Sequence, residues 1–354
     1  MAALIGVLPG DGIGPEVVEQ ALRVLDAIAR RSGQRFELRH GLIGGAAIDA
    51  TGKAFPEDTR RLALEADAVL LGAVGGLKWS DPAARERPEQ GLLDLRAAMG
   101  VYANVRPVRT HPSLYDASPL KAERIRDVDI MVIRELTGGI YFGAKQREAD
   151  RASDLCSYSR MEIERVLRVA AGMARGRRGK VTSVDKANVL ETSRLWRAVA
   201  GELFAREFSE LQLEHMLVDA AAMHLLSRPR DFDVLVTENM FGDILTDEAS
   251  MLAGSMGMLP SASLDDRARG LYEPIHGSAP DIAGRGIANP CGTILSVAML
   301  LRHTLGLEAE AARIEHAVHE VLDSGLRTRD IATAGGREAS TVQMGDAVVA
   351  RLDA

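Results

Sequence analysis

The chain has 354 residues, of which 46% are hydrophobic and 26% are charged, with 43 basic against 50 acidic side chains. This length favours two lobes over one small core, and the composition is ordinary for a globular protein. The net charge of −7 argues against a nucleic-acid-binding protein, which normally carries a basic excess.

Further features of the chain lead us to expect a cytoplasmic protein. The first residues run directly into an apolar strand without a basic leader or a cleavage pattern, so we expect no secretory signal. The longest uncharged segments, 249–264 and 286–301, contain proline and polar residues and are too short to cross a bilayer. Cys156 and Cys291 form no metal or redox motif, so we expect two free thiols.

Apolar runs alternate with helical patterns along the chain, which predicts an α/β fold. The first strand covers residues 4–8, and a glycine turn at 9–15 leads into an amphipathic helix from Glu16. The three glycines of the turn are spaced GxGxG, whereas a Rossmann fingerprint places its third glycine where Pro15 stands. The sequence therefore predicts a tight strand-to-helix turn and not a Rossmann domain.

Two carboxylates follow a short apolar strand at residues 233–237. Asp243 and Asp247 are four residues apart, so on a helix they lie on one face and repel each other unless a cation lies between them. Carboxylate oxygens suit a hard divalent ion such as Mg²⁺ or Mn²⁺. An acidic first turn that answers the helix dipole would also explain the pair, so its spacing alone leaves both readings open.

Other charged residues stand at the ends of predicted elements. Arg96, Arg106 and Arg134 could converge on a ligand with several carboxylates, because guanidinium groups bind carboxylates bidentately. The alternative for each arginine is a surface charge. Lys186 ends a strand among apolar residues and could act as a base, or could extend its ammonium group into solvent. Asp219 also follows a strand.

Five segments together resemble the isocitrate/isopropylmalate dehydrogenase family of β-decarboxylating dehydrogenases, which act on (R)-hydroxyacids. In chain order, the segments are residues 91–96, 134–141, 183–191, 238–247 and 276–289. The resemblance covers nearly the whole chain. It implies two α/β lobes with a large mixed sheet flanked by helices. Residues 1–101 plus 254–354 would form the cofactor-side domain, and residues 102–253 a second domain with the dimer interface.

The resemblance also implies an activity. We expect NAD-dependent oxidative decarboxylation of (2R,3S)-3-isopropylmalate to 4-methyl-2-oxopentanoate and CO₂, a step of leucine biosynthesis. Leu92 and Leu93 favour an alkyl substituent, because the third carboxylate of isocitrate would find no polar partner there. D-malate or tartrate stays open as a substrate. A non-catalytic regulatory subunit would be expected to have lost the base, the acid or a metal ligand, and a hydrolase would leave the arginines unexplained.

The resemblance implies residue roles in an active site shared between the subunits of a homodimer. Lys186 from the partner chain would act through water as the base, and Tyr141 would protonate the carbon that loses CO₂. Asp243, Asp247 and the partner chain's Asp219 would bind one Mg²⁺ or Mn²⁺ per subunit, with Asp219 also near the substrate.

Further contacts are implied for the substrate and for NAD. Arg96, Arg106 and Arg134 would bind the malate carboxylates. Leu92, Leu93 and the partner chain's Val189 would enclose the isopropyl group, and Glu89 would help to seat the substrate and the nicotinamide. The NAD site would consist of Glu273, His276, Gly277, Ser278, Ala279, Pro280, Asp281, Ile282 and Asn289. Asp281 would repel a 2′-phosphate, so we expect NAD and not NADP as the cofactor.

Overall fold

The computed structural model describes residues 2–79, 81, 84, 86–267, 269–333 and 336–353. The strands among them are β1 (Ala3–Gly10), β2 (Phe36–His40), β3 (Ala68–Ala73), β4 (Ala103–Arg109), β5 (Asp129–Glu135), β6 (Lys145–Arg147), β7 (Ala152–Asp154), β8 (Lys180–Asp185), β9 (Gln212–Leu217), β10 (Val234–Thr237), β11 (Pro260–Leu264), β12 (Gly270–Pro274), β13 (Leu326–Arg327) and β14 (Arg337–Glu338).

Helices alternate with these strands along most of the chain. They are α1 (Gly14–Ser32), α2 (Gly44–Thr51), α3 (Glu57–Glu65), α4 (Pro88–Met99), α5 (Ala122–Ile125), α6 (Arg160–Arg175), α7 (Glu191–Glu207), α8 (Val218–Ser227), α9 (Asn239–Ser250), α10 (Cys291–His303), α11 (Glu308–Asp323) and α12 (Thr341–Asp353). None of the helices in the described part of the chain has both the length and the apolar character needed to span a membrane.

The chain divides into two compact units, Met1–Val101 with His111–Ala117 and Gly254–Ala354, and Tyr102–Thr110 with Ser118–Ala253. The structure contains a mixed sheet of ten strands, which confirms the predicted α/β fold with a large mixed sheet. The segment 111–117 belongs to the first unit, although the predicted boundary assigned it to the second. The cofactor and dimer roles of the two domains stay predictions.

In the first unit the strand order is β2-β1-β3-β12-β11, and only the β11–β12 pair is antiparallel. All six residues of β3 are buried, as expected for a central strand that is covered on both faces. Helix α1 begins with Pro15 in its first turn and ends at Gly33, whose φ of 71° allows the left-handed cap. Its buried stripe runs from Val17 to Ile28.

In the second unit the order is β4-β5-β10-β8-β9, and β4 is antiparallel to β5 while the other neighbours are parallel. Helix α6 starts at a reciprocal cap, in which Ser159 accepts from the backbone of Glu162 and Glu162 accepts from that of Ser159. Both predicted thiols are free: Cys156 is half-buried and Cys291 is buried.

Candidate active site

The parallel strands of the second unit bring its predicted polar residues to one edge of the sheet. Thr237 at the end of β10 is in register with Arg134 in β5 and with Val184 in β8. Residues that follow the carboxyl ends of parallel strands share one edge, where α/β proteins bind their ligands. The residues at or just beyond these ends are Arg134, Lys186, Asp219 and Glu238.

Arg134, Tyr141 and Asp243 form a connected cluster in the second unit. Arg134 is only 4% exposed and makes an ion pair with Asp243. The hydroxyl of Tyr141 donates to Asp243 Oδ2 at 2.9 Å, and the Arg134 guanidinium carbon lies 5.8 Å from the centre of the Tyr141 ring. Burial, followed by the negative charge of Asp243, raises the pKa of Tyr141 to about 12. Tyr141 is therefore protonated at neutral pH and is able to donate a proton.

Arg106 is the second buried cation of this unit. Its Nε donates to Asn104 Oδ1 at 2.6 Å, and its Nη1 donates to Thr246 Oγ1 at 2.6 Å. The same Nη1 lies 3.8 Å from Asp247 Oδ1. Side chains of β4 and α9 thus orient Arg106, as expected for a guanidinium that presents a defined edge to a ligand.

The paired carboxylates stand on helix α9 as the sequence predicts. Because α9 begins at Asn239, neither Asp243 nor Asp247 lies in its first turn, so the reading as an acidic first turn is wrong. Burial raises the pKa of Asp247, the neighbouring Asp243 adds to the rise, and Arg106 opposes it. Two partly exposed carboxylates of like charge on one helix face provide oxygen ligands suited to Mg²⁺ or Mn²⁺.

Lys186 and Asp219 form a separate pair between the ends of β8 and β9. Lys186 Nζ lies 2.6 Å from Asp219 Oδ1. The hydrogen bond from Lys186 lowers the pKa of Asp219. Within the described part of the chain, no three His, Cys, Asp or Glu side chains are grouped as metal ligands. A single chain therefore does not bring Asp219 together with Asp243 and Asp247 as a three-carboxylate site.

In the first unit, Asp11 organises the turn between β1 and α1. Its carboxylate accepts from the backbone N–H groups of Gly45, Ala46 and Gly75 at 2.7–2.8 Å. The turn also contacts the predicted NAD loop, because the N–H of Ile13 donates to the carbonyl oxygen of Ser278 at 2.9 Å. Asp11 was not among the predicted site residues, although its position in the glycine turn could have identified it as a residue that organises this turn.

The predicted NAD segment follows β12. His276 Nδ1 lies 2.9 Å from the carbonyl oxygen of Gly277, and its buried Nε2 has no hydrogen-bond partner among the described residues. Burial lowers the pKa of His276. Ala279 has a φ of 38°, an unusual value for a residue with a side chain, which indicates local strain. Asn289 lies just before α10, and its Oδ1 accepts from the N–H of Cys291 at 3.0 Å.

The other residues of this segment differ in exposure. Ser278 is buried, Ile282 is half-buried, and Pro280 and Asp281 are exposed. An exposed carboxylate at 281 is available to ribose hydroxyl groups. His276, with its lowered pKa, is neutral at pH 7 and lies beside exposed loop backbone.

Arg96 and Glu273 form an ion pair that the sequence did not suggest. Arg96 Nη2 lies 2.8 Å from Glu273 Oε1, and both side chains are 10% exposed. Arg96 Nε is buried without a hydrogen-bond partner among the described residues. The residue assigned to the substrate and the residue assigned to NAD are thus linked within the first unit.

Three further predicted residues lie on α4. We expected a loop over residues 78–90 and a helix from Gly91, whereas this helix begins at Pro88, so Glu89 belongs to its first turn and not to a loop. Leu92 is half-buried and packs against the core around Leu8 and Leu271, whereas Leu93 is half-buried outside that cluster. Of the two leucines, Leu93 is the better candidate for a ligand contact.

Several supporting residues in the second unit were missed by the sequence analysis. Glu238 caps α9 by accepting from the Phe241 N–H at 2.9 Å, and Tyr158 Oη donates to Glu238 at 3.2 Å. A Cβ at Gly242 would lie 2.6 Å from Arg134 Cγ, so the side chain of Arg134 can pack this closely against α9 only where residue 242 is glycine. Glu238 and Gly242 lie inside the segment 238–247 that carries the family resemblance. Their roles were missed because they contact residues that are distant in sequence.

Comparisons with known proteins agree with this arrangement. The family model for isocitrate/isopropylmalate dehydrogenase matches residues 4–348. A 3-isopropylmalate dehydrogenase from Anaeromyxobacter dehalogenans is 59% identical, and the alignment covers 99% of this chain and 100% of the relative. The Bacillus subtilis 3-isopropylmalate dehydrogenase is 58% identical over 94% of this chain and 92% of its own length.

Solved structures give the same result. The structure of an isocitrate dehydrogenase from Methylococcus capsulatus has a TM-score of 0.89 and 34% identity, covering 99% of this chain and 100% of that one. A β-decarboxylating dehydrogenase from Thermococcus kodakarensis has a TM-score of 0.80 and 34% identity, covering 99% and 96%. The chain belongs to the isocitrate/isopropylmalate dehydrogenase family.

Proposed function

We propose that this protein is an oxidoreductase that uses NAD and a divalent cation to oxidise and decarboxylate (2R,3S)-3-isopropylmalate. The products are 4-methyl-2-oxopentanoate and CO₂, and the step belongs to leucine biosynthesis. Relatives that carry the name 3-isopropylmalate dehydrogenase are 52–59% identical over nearly the full chain. The strongest structural support is the cluster of Arg106, Arg134, Tyr141, Asp243 and Asp247 at one edge of the second unit.

The substrate class follows from charge and from apolar surface. Arg106 and Arg134 are buried cations whose orientation is held by neighbouring side chains, and both suit substrate carboxylates. In the first unit we assign Arg96 to carboxylate binding and Leu93 to the isopropyl group. A polar third arm would lie against leucine without a partner, which disfavours isocitrate.

Asp243 and Asp247 would hold the cation, with a third carboxylate from Asp219 of a second chain. Bound there, Mg²⁺ or Mn²⁺ supplies Lewis acidity, which favours loss of a hydroxyl proton and stabilises developing oxyanion charge. Tyr141 remains protonated because of burial and Asp243, so it serves as the acid that delivers a proton to the carbon that loses CO₂. Lys186 accepts the hydroxyl proton through water.

In the first unit, the segment from Glu273 to Asn289 would hold NAD. The Nε2 of His276 is buried and has no hydrogen-bond partner among the described residues, and the exposed carboxylate of Asp281 would accept hydrogen bonds from the ribose hydroxyls. A second negative charge on a 2′-phosphate would be repelled by Asp281, so NADP should bind poorly.

The remaining proposal is a homodimer with shared sites. Apolar side chains are exposed on α8, on α9 and beside Lys186: Met223 is 62% exposed, Ile244 59% and Val189 61%. If these side chains form one patch, they would suit a protein interface. A twofold dimer that buries α8 and α9 would place Lys186 and Asp219 of each chain near Asp243 and Asp247 of the other.

The test is to follow NADH absorbance with purified protein, NAD and Mg²⁺, using 3-isopropylmalate, D-malate and isocitrate in separate reactions. We expect fast reduction with 3-isopropylmalate, slow reduction with D-malate and none with isocitrate. NADP in place of NAD, and removal of the cation with a chelator, should each abolish most of the rate.

Each other outcome has a definite meaning. A preference for D-malate would show that the leucines of α4 do not select an alkyl group. Reduction with isocitrate would contradict the assignment within the family. No reduction with any of the three substrates would favour a regulatory subunit.

A further inference from the structure

Asn239 is the first residue of α9 and is only 1% exposed. Its Oδ1 accepts two hydrogen bonds from one guanidinium, from Arg134 Nε at 3.0 Å and from Arg134 Nη2 at 2.9 Å. Its Nδ2 donates to the carbonyl oxygen of Gly138 at 3.2 Å. One buried amide therefore contacts both an arginine of the candidate site and the segment that leads to Tyr141.

The orientation of this amide is determined by its partners. Arg134 offers only donors and the Gly138 carbonyl only an acceptor, so the amide oxygen must face Arg134 and the nitrogen must face Gly138. Rotation of the amide by half a turn would set two donors against each other and two acceptors against each other. The arrangement thus has one satisfied state, and it restricts the position of the guanidinium.

The amide of Asn239 is uncharged, so it changes the electrostatics around Arg134 less than a carboxylate would. An arginine fork in a protein interior is commonly met by a carboxylate, which also cancels its charge. Here a neutral oxygen orients the Nε and Nη2 edge, and Nη1 makes an ion pair with Asp243. The amide of Asn239 therefore holds Arg134 in place without adding a negative charge beside it.

The second contact of the amide reaches the tyrosine. Gly138 immediately precedes the turn Gly139–Tyr141, and the carbonyl of Gly138 is the group that Asn239 holds. The backbone N–H of Asn239 donates to Tyr158 Oη at 3.0 Å, which anchors Asn239 itself. The position of Arg134 and the position of the Tyr141 turn are thus tied to one side chain.

We propose that Asn239 is a positioning residue for the reaction: its uncharged amide orients Arg134 towards a substrate carboxylate, and it fixes the turn that carries Tyr141. This inference rests on the proposed function for the identity of the substrate. It is argued from hydrogen bonds within the second unit.

The experiment compares Asn239→Asp and Asn239→Ala with the wild type and with Thr110→Val. Thr110 Oγ1 donates to the Ile125 carbonyl oxygen at 2.7 Å in the same unit, so Thr110→Val is an isosteric control that loses a hydrogen bond elsewhere. The readouts are kcat, KM for 3-isopropylmalate, KM for NAD, Tm, and crystal structures of the wild type and Asn239→Ala.

We expect Asn239→Asp to raise KM for 3-isopropylmalate about ten- to a hundredfold, the range of one charge-assisted hydrogen bond, because a carboxylate pairs with Arg134. KM for NAD should change by less than about twofold, since the amide does not contact the first unit's NAD segment. Asn239→Ala should lower kcat as well, and its crystal structure should show the guanidinium of Arg134 and the Gly138 carbonyl displaced. Thr110→Val should lower Tm only.

Equal changes in both KM values, or kinetics like those of Thr110→Val, would overturn the proposal. If the wild type does not oxidise 3-isopropylmalate, the proposed function fails, and the positioning role is judged from the crystal structures alone. Displacement of Arg134 and Gly138 in Asn239→Ala then supports the role, and unchanged positions refute it.

Discussion

Tyr141 shows how single contacts prepare a side chain for one chemical task. Its hydroxyl donates to Asp243 at 2.9 Å, its ring lies beside the Arg134 guanidinium, and its pKa is raised to about 12 by burial and by Asp243. A phenol in this setting keeps its proton at neutral pH. It therefore suits the role of an acid and not that of a base.

Replacing Tyr141 by phenylalanine tests this role. We expect kcat for 3-isopropylmalate to fall at least about a hundredfold with KM nearly unchanged, because proton transfer is lost while the carboxylate contacts remain. The control is Tyr272→Phe, which removes a 2.7 Å hydrogen bond to Thr304 inside the first unit and should affect stability alone. Steady-state kinetics with near-normal kcat in Tyr141→Phe would exclude the tyrosine as the acid.

Among the elements, helix α9 carries the largest share of the candidate site. It presents Asn239 to Arg134 and two carboxylates to one face, and Thr246 hydrogen-bonds Arg106. The side chain of Arg134 can lie against α9 only because residue 242 is a glycine without a side chain. Packing between α9 and β5 therefore decides the geometry of the arginine.

A pair of glycine substitutions separates packing from helix propensity. Gly242→Ala should displace Arg134, because its Cβ would lie 2.6 Å from Arg134 Cγ, and should lower Tm and raise KM for the substrate. Gly201→Ala in α7 meets no atom within 4 Å and should raise the free energy of unfolding by about 0.5–1 kcal/mol. Thermal denaturation and kinetics of both variants check this, and stabilisation by Gly242→Ala would contradict the packing argument.

The end of helix α10 provides a pH-dependent contribution to stability. Burial, with a smaller effect of Arg302, lowers the pKa of His303 to about 4. An unfolded histidine titrates near 6.5, so between about pH 6.5 and 4 the unfolded chain binds more protons than the folded one. The free energy of unfolding is therefore highest, as far as His303 is concerned, above about pH 6.5, and it decreases as the pH falls from there towards 4.

We expect the free energy of unfolding to be about 2 kcal/mol lower at pH 5 than at pH 7.5 because His303 titrates. His303→Gln cannot titrate, so denaturant unfolding of this variant should show a smaller decrease over the same range. The difference between the two decreases isolates the histidine from carboxylates that titrate at lower pH. Parallel pH curves for the two proteins would show that His303 is accessible to solvent.

At the scale of the whole molecule, the proposed catalytic residues of the second unit fall into two separate groups. Arg134, Tyr141 and Asp243 are connected to each other, whereas Lys186 is paired with Asp219. The exposed apolar residues of α8 and α9 offer a surface that a second copy could cover.

Mixing two inactive variants tests the shared site. If Lys186 of one chain serves Asp243 of the other, a heterodimer of Lys186→Met and Asp243→Asn chains contains one intact site. Co-expressed chains that pair at random should then regain about a quarter of the wild-type activity, because half of the dimers have one of two sites intact. Each variant alone is the control, and a mixture as inactive as both variants would mean that each chain builds its own site.

Local patterns in the sequence were sufficient for the fold class and for the paired carboxylates, whereas most of the other candidate residues came from the family resemblance. Strand and helix periodicity predicted the α/β alternation, and the spacing of Asp243 and Asp247 predicted two carboxylates on one helical face. These properties depend on neighbours within a few residues, so the sequence carries them directly. The exact start of α4 was missed, because Glu89 follows a proline that begins the helix earlier than expected.

The sequence by itself therefore determined the α/β architecture, the family resemblance and the residue types available for chemistry. Only the tertiary structure decided which of them are partners: Arg134 with Asn239, Arg96 with Glu273, and Lys186 with Asp219. The partners in these pairs are 105, 177 and 33 residues apart. Such contacts arise from strand order and from packing across a sheet, which no local pattern encodes.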